Sequence, residues 1–128
     1  IPQVGPETRK ALRSYQEPTY LHQVNRRHAD GLTMHRDLPD ALALGDQTDG
    51  EEWRVHFHVP VFLDNLGAFS STRAFLEQIL DLHRSDPISP HLEIETYTWD
   101  VMPKEIRSAT MDQDIVREMQ WVLEQLGQ

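Results

Sequence analysis

From Trp53 to Phe62 the chain alternates without a break, "WRVHFHVPVF". A strand there puts Trp53, Val55, Phe57, Val59 and Val61 on one face and Arg54, His56 and His58 on the other. The period then changes. Ser71 to Arg84 predicts a helix that buries Phe75, Leu76, Ile79 and Leu80, with His83 at the end of the stripe and a Ser at its N-cap. "HLEIETYTW", after the turn-forming "SDPISP", predicts a second strand, Leu92 to Trp99, with Leu92, Ile94 and Thr96 on one face and Glu93, Glu95 and Tyr97 on the other. A last helix begins where Thr110 and Gln113 make a capping box, runs along Ile115, Met119, Val122, Leu123 and Leu126, and stops at Gly127.

Upstream, "GPETRKALRSY" predicts a short helix with Pro6 in its first turn, where a missing N–H costs nothing. Two strand-like runs, Thr19 to Asn25 and Leu32 to Arg36, flank Ala29-Asp30-Gly31 and predict a β-hairpin. Asp37 is placed to cap a short helix, "DLPDALAL", that Gly45 ends, and "GDQTDGEE" reads as a polar surface loop. Strand, helix, strand, helix from Trp53 onward predicts two parallel strands with a right-handed crossover. Such a sheet needs cover on both faces, and this chain holds too few elements to supply it, so further strands are expected from a longer protein or from another copy. The opening "IPQVGP", without an initiator Met, points the same way.

The length, 128 residues with 38% apolar content, suits one domain with a modest core. A net charge of −9 argues against nucleic acid and against an anionic membrane surface as partners. That charge is uneven: residues 1–36 carry six Lys/Arg against three Asp/Glu, a balance of +3, and residues 37–128 carry six against eighteen, or −12. With no cysteine, disulfides, thiolate metal sites and cysteine nucleophiles are excluded. No apolar run approaches the ~20 residues that span a bilayer, so no integral membrane segment is expected, and a cytoplasmic location is the default. There is no phosphate-binding glycine loop and no nucleophile elbow.

The chemistry therefore rests on the polar faces of the two predicted strands. They are either solvated or the inside of a barrel. Inside a barrel, His56, His58, Glu93 and Glu95 would stand where barrel active sites are built, and imidazole with carboxylate suits a divalent ion such as zinc or manganese. Two strands supply at most half of such a site. The alternative is that H-x-H and E-x-E are the wet face of an ordinary sheet. Asp64 and Asn65 after the first strand, and Trp99 and Asp100 after the second, would open on one rim, where Asp64 and Trp99 are candidates to touch a substrate. His22, His28 and His35 lack a ligand spacing, and Tyr20 and Trp121 read as packing residues.

"RVHFHVPVFLDNLGAFSST" followed by "HLEIETYTWDVMP" resembles the C-terminal part of the EboE-type metabolite traffic proteins, of the xylose-isomerase-like TIM-barrel superfamily; "EPTYLHQV" and "RDLPDAL" resemble that family's insertion before the seventh strand. The resemblance covers nearly the whole chain. It implies an α/β fold, the C-terminal part of a (β/α)8 TIM barrel: a helix, β-hairpin and loop insertion over 1–52, then strands seven and eight with their helices over 53–128. It also implies a role in the traffic or binding of a small metabolite, in a family associated with export of secondary metabolites or prenyl-type compounds.

In the metal-dependent sugar epimerases of the superfamily, the second histidine of H-F-H-V and a strand-eight glutamate are metal ligands. Carried over by position these are His58 and Glu95, with His56, Glu93, Asp64 and Trp99 toward the substrate. The implied alternative is a divalent-metal-dependent (Mn, Zn or Mg) isomerase or epimerase. Those epimerases continue with Gly-Glu where this chain has Pro60-Val61. The 128-residue piece alone is expected to be inactive, and to need the missing strands or self-association.

Overall fold

Pro6 opens the first helix, α1 (Pro6–Leu12), which tightens into a 3-10 turn through Tyr15 and buries Leu12 and Tyr15. The hairpin forms as β1 (Val24–His28) and β2 (Gly31–His35), joined by Ala29-Asp30 with His28 opposite Gly31. Asp37 caps α2 (Leu38–Leu42): its carboxylate accepts the Leu38 N–H, and Pro39 sits in the first turn. Gly45, at φ +59, turns the chain out of that helix. β3 (Glu52–Val55) pairs with β1, giving a three-stranded antiparallel sheet in the order β2-β1-β3.

In this computed structural model, which describes residues 1–95, 100, 102, 104 and 110–128, the chain is mixed α/β and divides into two compact units. The first is Ile1–Phe57 with Gly67–Phe69; the second is His58–Leu66 with Ser70–Gln128. The strand at Trp53 thus lies in the same compact unit as the hairpin. The core of the first unit gathers Val4, Leu12, Tyr15, Val24, Leu38, Ala41, Leu42, Trp53 and Phe69. The second unit carries α3 (Arg73–Ser85) and α4 (Met111–Leu126).

Several sequence expectations are corrected here. The strand predicted from Trp53 to Phe62 stops at Val55, and it pairs antiparallel within the hairpin sheet. The ladder runs out: the His56 N–H still reaches Gln23 O at 2.9 Å, while the neighbouring His22 N–H bonds the Asp37 carboxylate at 2.9 Å. Pro60, without an N–H, cannot resume a ladder. The hairpin's first strand begins at Val24 rather than Thr19, because Glu17 accepts the N–H groups of Thr19 and Tyr20 and folds that stretch into a turn. The loop after Gly45 is not simply polar surface, for Thr48 is fully buried and its hydroxyl donates to Gly45 O.

In α3 only Leu80 is buried. Phe75 is 63% exposed and Ile79 41%, with Leu76 half-buried, so half of the expected buried stripe stands in solvent. In α4, Asp114 and Glu118 are buried, Ile115, Val122 and Leu126 are half-buried, and Met119 and Leu123 are exposed. Its ends follow expectation, with Thr110 accepting the Gln113 N–H and Gly127 in the left-handed conformation at φ +77. Residues 92–95 of the second predicted strand lie outside any helix or strand, and its residues 96–99, Trp99 included, lie outside the described residues. Among the described residues no helix is long and apolar enough to cross a membrane.

Candidate functional site

Alternation does hold through the part of the strand that forms: Trp53 is fully buried while Arg54 and His56 are exposed. His56 follows β3, its Nδ1 3.1 Å from Gln23 Oε1. His58 comes two residues later, half-buried and in the other unit. The two histidines read as one polar face are thus divided between units by the end of the strand.

His58 leads into a folded corner. Leu63 N–H closes a turn on Pro60 O at 3.0 Å, and Pro60 itself is buried. Val61 N–H donates to Glu118 Oε1 at 3.0 Å, so a carboxylate from the last helix takes the bond that a neighbouring strand would have taken. Arg117 lies over the Phe62 ring, 4.2 Å from its centroid. Arg73 donates through Nη1 to Phe62 O at 3.1 Å and through Nε to Glu77 at 2.9 Å. Asp64 is exposed, and its carbonyl accepts the Ser71 N–H at 2.8 Å across a loop that the Asn65–Ser70 bridge narrows. Ser71 Oγ, accepting the Arg73 N–H at 3.0 Å, caps α3 from one residue further out than Thr72.

Glu93 and Glu95 are exposed. Among the described residues no group of three His, Asp or Glu comes together in a way that could hold an ion. His58 and Glu95 supply the right donor chemistry, but the described residues do not complete a coordination shell around them.

Two polar clusters in the first unit went unread in the sequence. Glu51 accepts from Arg26 Nη2 at 2.6 Å, from Arg26 Nε at 2.8 Å and from Trp53 Nε1 at 3.1 Å. The hydrogen bonds from Arg26 first, outweighing burial, and then that from Trp53, hold the Glu51 carboxyl below its usual range. His35 Nε2 is 3.2 Å from the same guanidinium. The second cluster surrounds His22, a buried residue that the sequence marked only as lacking a ligand spacing. Its ring lies 4.9 Å from Phe57, with Nε2 3.9 Å from Glu17 and Nδ1 4.0 Å from Asp37. Burial pushes the Glu17 carboxyl up, but the N–H groups of Thr19 and Tyr20, with His22 beside them, bring it below its usual value.

What these arrangements do chemically is fix backbone. Each of these carboxylates accepts from N–H groups or a guanidinium. The only signal for them was polar residues next to turns and on one helix face, which also describes an ordinary wet surface.

No protein-family model matches the chain, and neither a curated protein nor a solved structure matches it significantly.

Proposed function

We propose that this chain is the C-terminal part of a xylose-isomerase-like barrel protein that binds a small metabolite, in keeping with the EboE-type pattern of "RVHFHVPVF" and "HLEIETYTW". The observation that carries the reading is the pair of unsatisfied helix stripes. Phe75, Ile79 and Leu82 on α3, and Val116, Met119 and Leu123 on α4, follow helical spacing and are exposed. Outer helices of a (β/α)8 barrel lay such stripes on a sheet, and helices cut away from their strands would show them bare. Metabolite binding is preferred over turnover because the carboxylates of Glu17, Asp37 and Glu118 are engaged by backbone N–H groups and that of Glu51 by Arg26 and Trp53.

The alternative, a metal-dependent isomerase or epimerase, draws on the donor types of His58 and Glu95, with the remaining ligands coming from outside this chain. A bound divalent ion would supply carbonyl polarisation.

The test is calorimetric titration of the complete barrel protein with Mn2+ and Zn2+, in wild type and as His58→Ala with Glu95→Ala. The binding reading expects no stoichiometric ion. An ion bound by wild type and lost in the variant moves the assignment to the isomerase. Solving the complete protein without a barrel would defeat both.

A further inference from the structure

β2 is an edge strand of the three-stranded sheet, with one side left without a partner strand among the described residues. The His56 N–H bonds Gln23 O, so Gln23, Asn25 and Arg27 of β1 direct their backbone groups to β3. Val24, Arg26 and His28 therefore bond β2, at His35, Thr33 and Gly31. By elimination, the N–H and C=O of Leu32 and Met34 point away from the sheet. Their side chains are the most exposed apolar groups of the first unit, at 70% and 71%, and they share one face with Asp30 and Arg36 on either side. Asp30 and Arg36 are exposed and take part in no ion pair among the described residues.

We propose that this edge binds a second copy of the chain, β2 against β2, antiparallel about a two-fold axis at Thr33. In that register Leu32 faces Met34 of the second copy and Asp30 faces its Arg36, and the axis repeats each pair. Leu32 and Met34 fall at hydrogen-bonded positions, so each exchanges the backbone groups that β1 leaves unused. The four apolar side chains close into one cluster on one face, with an opposite-charge pair at each end. Shifting the register by two residues removes the Asp30–Arg36 pairs and leaves an apolar residue facing a charge. A β2–β2 contact is isologous and closed, so it stops at a dimer and uses up the exposed edge that would otherwise recruit strands at random.

The test is sedimentation equilibrium of the 128-residue chain between about 10 µM and 1 mM, with hydrogen exchange followed over the same range. A dimer is expected, with the Leu32 and Met34 amides gaining protection as concentration rises and the Thr33 amide protected throughout. Asp30→Lys and Arg36→Glu should each weaken the dimer by about tenfold, because each sets like charges opposite one another twice. The double variant Asp30→Lys/Arg36→Glu should restore it, which a loss of turn structure at Asp30 would not allow. A wild-type monomer at 1 mM overturns the proposal. So do Leu32 and Met34 amides indifferent to concentration, or an assembly untouched by the charge reversals and abolished by Phe75→Glu with Met119→Glu.

Discussion

Val61 and Glu118 are joined by a hydrogen bond of 3.0 Å, from the backbone N–H of one to the carboxylate of the other, across 57 positions of sequence. With the Leu63 N–H to Pro60 O bond, it holds a corner in residues that alternate like a strand. Glu118 is fully buried, so removing its carboxylate leaves the Val61 N–H to be satisfied elsewhere. Glu118→Ala should cost about 1–3 kcal/mol, the range for a buried donor that loses its acceptor. Glu118→Gln keeps an oxygen acceptor at the same place and should cost clearly less. Urea unfolding of the two variants against wild type checks both values, and equal losses would show that the charge rather than the hydrogen bond matters.

Arg26 and Glu51 give a pH dependence of known sign. The Glu51 carboxyl is depressed in the folded chain chiefly by the Arg26 hydrogen bonds, so folding favours its ionised form. Its contribution is fully present above the unfolded carboxylate value of about 4.3, and is lost as pH falls through the lower folded value. Melting temperature should therefore drop on acidification below about pH 4. Glu51→Gln should lower stability at neutral pH and flatten that acid limb. A limb of unchanged steepness in the variant would assign the acid transition to other carboxylates.

These two bonds also mark where sequence reading ran out. Local rules worked where the signal was local: Pro6 opening α1, Asp37 capping α2, Thr110 and Gly127 bounding α4, and the Ala29-Asp30 turn were all legible from one or two residues. The strand over 53–62 was half right. Its alternation fits the exposed Arg54 and His56, but alternation carries no information about whether a partner strand is there, and β1 offers none beyond Gln23. The α3 stripe was read correctly as an apolar face, with Leu80 buried, but wrongly in burying Phe75 and Ile79, since burial depends on what packs against them. For the candidate site, His58, Glu93 and Glu95 could be named by chemistry alone. Whether they converge depends on residues far apart in sequence, and no periodicity reports that.

Trp53 is the largest fully buried side chain of the first unit, and it serves two purposes. Its ring fills the core behind the sheet, and its Nε1–H donates to Glu51. Trp53→Phe retains most of the apolar area while losing the donor, and Trp53→Ala loses both. The alanine variant should cost about 3–5 kcal/mol, within the range for large aromatic truncations, and the phenylalanine variant a minority of that. Chemical denaturation followed by far-UV circular dichroism separates them; a phenylalanine variant as damaged as the alanine one would place the weight on the hydrogen bond.

The α4 N-cap tests whether that helix depends on its own ends. Its long stripe of Val116, Met119 and Leu123 is exposed, so packing supplies less of its stability than in a buried amphipathic helix, and capping supplies a larger share. Thr110 Oγ1 accepts the Gln113 N–H at 3.3 Å. Thr110→Ala should cost about 1 kcal/mol, and Thr110→Asp should preserve or improve on wild type, because a carboxylate accepts the same bond and also favours the positive end of the helix dipole. Hydrogen exchange along residues 113–118 checks this more sharply than global unfolding, since loss of the cap frays the first turn before it unfolds the unit. If protection there is unchanged in Thr110→Ala, the buried Asp114 and Glu118, rather than the cap, fix the start of α4.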